Sequence, residues 1–373
     1  MRIGLDAKRA FYNYTGLGNY SRDAIRILSH YYPKDEYFLY SPKEKKNNRL
    51  SFLQQRDNVF VRTPFSFLGN LFKKYWRTYD IVKDLQQDEI DVFHGLSHEL
   101  PIGIEKTNIK SVVTIHDLIF IRYPHLFPYI DRKIYFEKFK SACNRSNKII
   151  AISEQTKADI IKYFGTEQNK IDVVYQGCNK VFQSEIDEKT KTEICKKYNL
   201  PTQFLLNVSS ITDRKNQLTI LKALLHLPNQ HLLIIGDGKK YKQLCQNFVA
   251  NNNLSSRVTF LNDLNLSEMA ALYQSAKIMI YPSIFEGFGI PILEALFSKI
   301  PVITSVGSCF AESGGEHSVY INPLKEIELV EAITKINSDS SFRNNMITKG
   351  YQHAQNFTDS KVAANLYKTY QSL

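Results

Sequence analysis

The sequence predicts an α/β protein made of two doubly wound, parallel-sheet domains in tandem. Three observations carry that prediction. The chain has 373 residues, too many for one ordinary core and suited to two. Short apolar runs alternate with helix-length segments, the pattern of parallel sheets. The alternation halts at a polar, charged stretch, residues 183–200, and then restarts.

In the first half, Arg2–Asp6 opens with a strand and Tyr20–Tyr31 reads as a helix. Tyr37–Tyr40, Val59–Arg62, Val92–His94, Ser111–Ile115, Lys148–Ile152 and Asp172–Val174 read as further strands. Helices are expected at about 68–87 and 131–144. After the break come strands at Phe204–Val208, His231–Ile235, Val258–Leu261, Ile278–Tyr281, Pro301–Thr304 and Val319–Ile321. Helices over about 216–226, 240–251, 267–275 and 291–298 alternate with them, and polar helices fill about 324–373. The predicted organisation is a domain over 1–182, a linker over 183–200 and a second domain over 201–355. A terminal helix at about 356–373 is expected to pack back on the first domain. Two such domains would face each other across a cleft lined by the C-terminal edges of their strands, where open α/β sheets bind ligands.

Composition excludes disorder and fibrous repeats: 43% of residues are hydrophobic and 23% charged, ordinary values for a globular protein. No run reaches the roughly 18 apolar residues of a spanning helix, and the N-terminus lacks the apolar stretch of a secretory signal. Cys143, Cys178, Cys195, Cys245 and Cys309 form no paired or zinc-binding spacing, so reduced thiols in a cytoplasmic protein are expected. The net charge of +11 is uneven. Residues 1–182 hold 29 basic and 20 acidic side chains, net +9, against +2 for the rest. An anionic membrane, a phosphate-bearing acceptor or nucleic acid would each suit a basic first half.

The most informative stretch is Ile280–Ala295 (IYPSIFEGFGIPILEA). A strand ends at Tyr281, a loop holds Gly287 and Gly289, and Pro291 suits the first turn of a helix. Free N–H groups at that helix start can hold a phosphate, and glycine lets a ligand approach the backbone. Glu286 and Glu294 bracket the loop as acceptors for hydroxyl groups. Earlier, Val208–Asn216 (VSSITDRKN) places Arg214 and Lys215 at a strand-to-helix junction, where the helix dipole disfavours cations and a diphosphate would welcome them. No Asp-x-Asp occurs, so protein cations rather than a bound Mg²⁺ would neutralise that diphosphate. Ile235-Gly236-Asp237-Gly238 is an incomplete dinucleotide loop, read as a turn with base-side contacts available.

These residues, with Thr15-Gly-Leu-Gly-Asn-Tyr20, Thr114-Ile-His116-Asp117, Ile152-Ser-Glu-Gln-Thr156 and Asp213-Arg-Lys-Asn216, resemble family 4 of the retaining glycosyltransferases over essentially the whole chain. The resemblance implies the GT-B fold and transfer of a hexose, mannose first, from a nucleotide-diphosphate sugar to a glycan or lipid-linked acceptor, without metal or other cofactor. It implies that Gly16 and Gly18 approach the diphosphate, that His116 lies beside the transferred sugar, and that Arg214 and Lys215 bind the diphosphate. Glu286 would meet the sugar hydroxyls, the backbone at Phe288, Gly289 and Ile290 the sugar and phosphates, and Glu294 the ribose.

Three departures stand out. Ser209 and Ser210 occupy a region where relatives carry a second basic residue, Asn262-Asp263-Leu264 stands where a glycine near the nucleobase is common, and Ala311–Gly315 lacks the usual proline. Gly236, Asp263 and Leu264 are base-side candidates. His98 and Glu99, after the Val92–His94 strand, are acceptor candidates. The segment Phe65–Trp76 mixes aromatics with Lys73 and Lys74, and suits either a bilayer surface or a helix packed on its own sheet. A nucleotide-sugar epimerase shares the two-domain cleft and stays open as an alternative. A nucleic-acid-binding protein is disfavoured by the lack of any recognisable binding motif.

Overall fold

The computed structural model describes residues 1–65 and 72–373. They fall into two compact units. One is Met1–Gln176 with Asp359–Leu373, the other Gly177–Thr358.

The first unit holds β1 (Arg2–Asp6), β2 (Glu36–Tyr40), β3 (Val59–Arg62), β4 (Val92–Gly95), β5 (Lys110–Ile115), β6 (Lys148–Ala151) and β7 (Ile171–Val173). They form one sheet in the order β3-β2-β1-β4-β5-β6-β7, and every pairing is parallel. The second unit holds β8 (Leu205–Val208), β9 (Leu232–Ile235), β10 (Val258–Leu261), β11 (Ile278–Tyr281), β12 (Val302–Ser305) and β13 (Val319–Ile321). Its order is β10-β9-β8-β11-β12-β13, again all parallel. Apolar runs such as Ile278–Tyr281 are buried at every position, as expected of strands covered on both faces.

Each sheet reverses its winding once, between β1 and β4 and between β8 and β11. Crossovers leave in opposite directions there, so a crevice opens at the C-terminal edge.

Three expectations change. Residues 183–200 are not a bare linker: Glu188–Lys197 is a helix capped by Asp187. It packs on the Leu266–Ser275 helix, with Glu268 accepting from Lys197 Nζ at 2.5 Å and from the Tyr198 hydroxyl at 2.9 Å. The charges that suggested a linker lie on its outer face. The chain instead passes between units at Gln176–Gly177 and Thr358–Asp359, so the last helix is Asp359–Gln371 and joins the first unit. Finally, a short helix, Lys8–Tyr12, follows β1, and the helix expected from Tyr20 begins at Gly16, a turn earlier than its apolar pattern suggested. Of the Phe65–Trp76 segment, residues 66–71 lie outside the described residues. Its end is divided: Trp76 is buried with its indole N–H donating to Asp84 at 2.7 Å, while Phe72 and Tyr75 are exposed.

Candidate active site

In the second unit the functional groups gather at the β8/β11 reversal. After β8, Asp213–Lys215 forms one 3-10 turn and Asn216 takes a left-handed conformation, φ 59°. That turn carries Arg214 and Lys215 towards the loop after β11. There Glu286 meets both cations, 2.8 Å from Arg214 Nη1 and 2.6 Å from Lys215 Nζ. Lys215 Nζ also donates to the Tyr281 hydroxyl at 2.7 Å, and Arg214 reaches the Phe285 carbonyl.

Burial pushes the Glu286 carboxyl up, but Lys215 and Arg214 outweigh it and hold the group below its ordinary range. Burial pulls the Lys215 ammonium down, assisted by Arg214 and opposed by Glu286. The result is a buried cluster of two cations and one carboxylate, one positive charge in excess. A diphosphate arriving here meets cations already fixed in place, which is how fixed charge stabilises a charged leaving group.

The loop beyond Glu286 is held from behind. Ser308 Oγ donates to the Glu286 carbonyl at 3.1 Å, and Cys309 Sγ lies 3.0 Å from the Phe288 carbonyl. The Phe288 ring packs on Phe357, centroids 5.7 Å apart, and the residue is buried. Gly289 has φ 110° and precedes the Ile290–Phe297 helix, with Pro291 in its first turn. A Cβ at Gly289 would lie 3.1 Å from Ser313 Oγ, so strain and space both require glycine. Glu294 sits one turn into this helix and accepts from the Tyr273 hydroxyl at 2.7 Å. Thus Arg214, Lys215, Glu286, Phe288, Gly289, Ile290 and Glu294 share one edge of one sheet.

Of the base-side candidates, Gly236 has a structural reason to exist. A Cβ there would lie 1.9 Å from the Ser209 carbonyl oxygen. Asp263 and Leu264 follow β10, next to the end of β9, on a loop where Asp263 is exposed with φ 56°.

In the first unit the groups around the end of β5 are neutral and deeply buried. Thr114 and His116 lie two residues apart at the end of β5, which places them on one face, while Val113 and Ile115 enter the core on the other. His116 Nε2 lies 2.9 Å from the Leu96 carbonyl, which fixes the proton on that nitrogen and leaves Nδ1 as an acceptor. Burial lowers its pKa to about 4, against a weaker raising effect of the Leu96 hydrogen bond, so the imidazole is neutral at pH 7. The Tyr20 ring meets it edge-on at 4.6 Å.

Ser153 caps the Glu154–Phe164 helix, and Thr156 in its first turn donates to the His116 carbonyl at 3.3 Å. The Ile152–Thr156 motif therefore holds the backbone of the histidine motif.

His98 is left-handed, φ 63°. It stacks on Phe139 at 4.2 Å and meets His116 at 5.0 Å. It is thus a wall of the His116 site more than a free rim side chain. Glu99 is bound by Arg77, which also holds Asp6 at 2.5 Å, and by Lys138 at 3.3 Å. Burial raises the Glu99 carboxyl, but those two cations prevail and lower it. A pocket of about 390 Å³ opens beside this group, lined by Asp6, Arg77, Tyr79, Glu99 and Lys138.

Gly16 and Gly18, ahead of the helix start expected at Tyr20, lie in the first turn of the Gly16–Tyr31 helix. Thr15 makes no side-chain cap, so the N–H groups of that 16-residue helix stay available to an anion. Gly18 has no alternative, since its Cβ would lie 1.8 Å from the Asn13 carbonyl oxygen. Tyr20, Tyr273, Tyr281 and Cys309 escaped sequence reasoning as site residues. Tyr20, inside the glycine motif, and Tyr281, inside Ile280–Ala295, stood in stretches that had been singled out.

Comparison with known proteins gives the family and the fold. Residues 190–353 match the family described as Glycosyl transferases group 1, and residues 27–180 match Glycosyltransferase Family 4. The chain is similar to O-antigen chain mannosyltransferase RfbU of Salmonella typhimurium, 30% identical over 65% of this chain and 66% of that protein. The match thus spans just under two thirds of that relative's length. O-antigen chain mannosyltransferase B of Escherichia coli is 25% identical over 76% of this chain and 74% of its own. Two solved structures share the fold: a glycosyltransferase from Rickettsia africae (TM-score 0.77, 18% identity, 100% of this chain and 97% of that one) and Anabaena Alr3699/HepE with UDP and glucose (TM-score 0.78, 17% identity, 100% of both chains). With two parallel sheets, each carrying its polar groups at a winding reversal, and with family matches on both units, the chain belongs to the family 4, group 1 glycosyltransferases of the GT-B fold.

Proposed function

We propose that this glycosyltransferase is retaining and metal-independent, and moves mannose from a nucleotide-diphosphate sugar to a hydroxyl of a glycan or lipid-linked glycan. The observation that carries the proposal is the Arg214–Lys215–Glu286 cluster at the β8/β11 reversal. Two fixed cations match a diphosphate, and the carboxylate between them matches sugar hydroxyls. The names of the two O-antigen mannosyltransferase relatives favour mannose, and GDP-mannose is the first donor to test.

In this reading the acceptor oxygen bonds to the anomeric carbon on the face from which the phosphate oxygen departs. The acceptor's proton passes to the leaving phosphate, so no strong protein base is required. Arg214, Lys215 and the N–H groups at Gly289 and Ile290 receive the growing negative charge. Neutral His116 presents Nδ1 to a sugar hydroxyl and orients the ring. Glu294 takes the ribose, and the Glu99 pocket takes acceptor hydroxyls.

A thermal-shift panel of GDP-, UDP- and ADP-sugars tests the donor, since a ligand at 100 times its Kd stabilises by about 2.7 kcal/mol. Transfer with a mannosyl acceptor, undiminished by EDTA, is expected. Conversion of the donor without any acceptor would favour an epimerase instead.

A membrane partner has its own observation. The Tyr129–Arg145 helix of the first unit exposes Tyr129, Ile130 and Ile134 beside Lys133. Phe72, Tyr75 and Tyr79 are exposed near Lys73 and Lys74. Aromatic and aliphatic side chains among cations suit the interface of an anionic leaflet, here the cytoplasmic one. Among the described residues no helix is long and apolar enough to cross a membrane, so contact would be peripheral. Flotation with anionic liposomes at low salt should recover the protein, and its absence from the lipid fraction would end this part of the proposal.

A further inference from the structure

The last helix lies 243 positions beyond His116 at its nearest residue, Asp359, yet belongs to the same unit. Three contacts pin it. Asp359 accepts from Arg26 at 2.6 and 3.1 Å. The Tyr367 ring stacks on Tyr32 at 3.6 Å. At the C-terminal end, the Tyr370 hydroxyl lies 2.7 Å from His94 Nδ1. That last contact begins an unbroken buried chain. His94 Nε2 lies 2.7 Å from Thr114 Oγ1, and Thr114 Oγ1 lies 2.9 Å from the Tyr20 hydroxyl. The Tyr20 ring then stands perpendicular to the His116 imidazole.

We propose that Tyr370 is a positioning residue for His116, acting through His94, Thr114 and Tyr20. The hydroxyls and ring nitrogens of the chain can be satisfied in sequence: Tyr20 donates to Thr114, Thr114 donates to His94 Nε2, and His94 Nδ1–H donates to Tyr370. The other tautomer of His94 runs the chain the opposite way. In both cases the four groups must be in place together, because none is exposed to water that could substitute. Tyr20 also sits one turn into the helix that begins at Gly16. The terminal helix therefore braces the anion-facing turn and the histidine at once. None of these residues belongs to the Arg214–Glu286 cluster, and none is a titrating base: burial keeps His94 neutral, its pKa lowered to about 3.

The inference rests on the proposed role of His116, so its test has a readout that does not need turnover. In ¹⁵N-histidine-labelled full-length protein, His116 should show a single tautomer with the proton on Nε2. Tyr370→Phe keeps the ring and removes the hydroxyl. It should shift the His94 signals directly and leave His116 with mixed or broadened ring signals. Unchanged His116 signals in a folded Tyr370→Phe protein would overturn the proposal.

Kinetics supply the second arm, with GDP-mannose hydrolysis or transfer as the assay. Tyr370→Phe should lower kcat about tenfold, through the loosened orientation of His116, with donor KM changed less than about twofold. In a His116→Ala background the same substitution should lower kcat no further. An equal loss in both backgrounds would mean that Tyr370 serves stability alone, and would also overturn the proposal. If the wild type turns over no nucleotide-sugar, the glycosyl-transfer reading fails while the NMR result still decides the positioning chain.

Discussion

At the edges of the two sheets, the Arg214–Lys215–Glu286 cluster of the second unit and the buried histidines of the first are equipped in opposite ways. In the second unit, charge is concentrated and partly compensated: Glu286 holds Arg214 and Lys215 within 2.8 Å. In the first, His94, His98 and His116 are buried and uncharged, their basicity suppressed chiefly by desolvation. The contrast teaches a division of labour. A diphosphate demands cations, and cations buried without a donor demand a resident carboxylate. Orienting a neutral sugar demands hydrogen-bond direction, which neutral imidazoles supply without the desolvation cost of an ion.

Removing a cation from the charged unit should have the largest effect. Lys215→Ala deletes a buried ammonium that, in the proposed function, faces the leaving diphosphate. The expected loss in kcat/KM is about 10³-fold, the range for an electrostatic group aimed at developing charge, measured by donor turnover. A loss below about tenfold would move the diphosphate elsewhere.

Glu286→Gln separates the two duties of the carboxylate. In the proposed function it removes a hydroxyl acceptor for the sugar, and it also releases Arg214 and Lys215 from their charged partner. Turnover should fall about 10²-fold, while calorimetry should find GDP alone bound as tightly as before or more tightly. Weaker GDP binding would mean that Glu286 organises the cations for the nucleotide and does not compete with it. Glu286→Ala is a poorer test, since uncovering two buried cations costs about 3–5 kcal/mol of stability.

Acid should divide the units by stability. An imidazole whose pKa falls from 6.5 to about 4 on folding takes up its proton in the unfolded chain first. Stability therefore falls as pH drops from 6.5 towards 4, by about 3 kcal/mol at about 1.4 kcal/mol per unit. His94 acts in the same direction. In the second unit His231 and His353 are only partly buried and also lowered. Glu286, lowered by its cations, keeps its full contribution until pH falls below the ordinary carboxylate range. Hydrogen exchange between pH 7 and 5 should open the first unit before the second. Earlier opening of the second would contradict the comparison.

The sequence made the strands readable almost to the residue, because parallel strands buried on both faces are short apolar runs, a pattern that loops and amphipathic helices rarely share. It failed where polarity was ambiguous. Residues 183–200 looked like a linker since a helix packed on one side only shows its charges. Gly16 and Gly18 looked like a loop because glycine at a helix start breaks the apolar period. In the site, residues that carry charge or glycine were legible: Arg214, Lys215, Glu286, Gly289 and Glu294 all arrive at one edge. Their supports were not. Tyr281, Tyr273 and Cys309 read as ordinary core residues, because a hydroxyl or thiol reveals its partner only after the chain is folded. Arg77 illustrates the converse, a surface-looking charge that turns out to fix Asp6 and Glu99.

The smallest predicted effect concerns the second glutamate of the charged unit. Glu294 is partly exposed and accepts from the Tyr273 hydroxyl, so one of its oxygens is oriented while the carboxylate stays within reach of a ligand. Glu294→Gln keeps the shape and one acceptor. If the carboxylate holds the ribose, the nucleotide-sugar KM should rise about three- to tenfold with kcat nearly constant, since a ribose contact is equally strong before and during transfer. Tyr273→Phe should reproduce part of that rise by loosening the same carboxylate. The pair discriminates between the two glutamates: Glu286 should act on kcat and Glu294 on KM. A fall in kcat for Glu294→Gln comparable to that for Glu286→Gln would mean that both carboxylates serve the reacting sugar, and the ribose would need another partner.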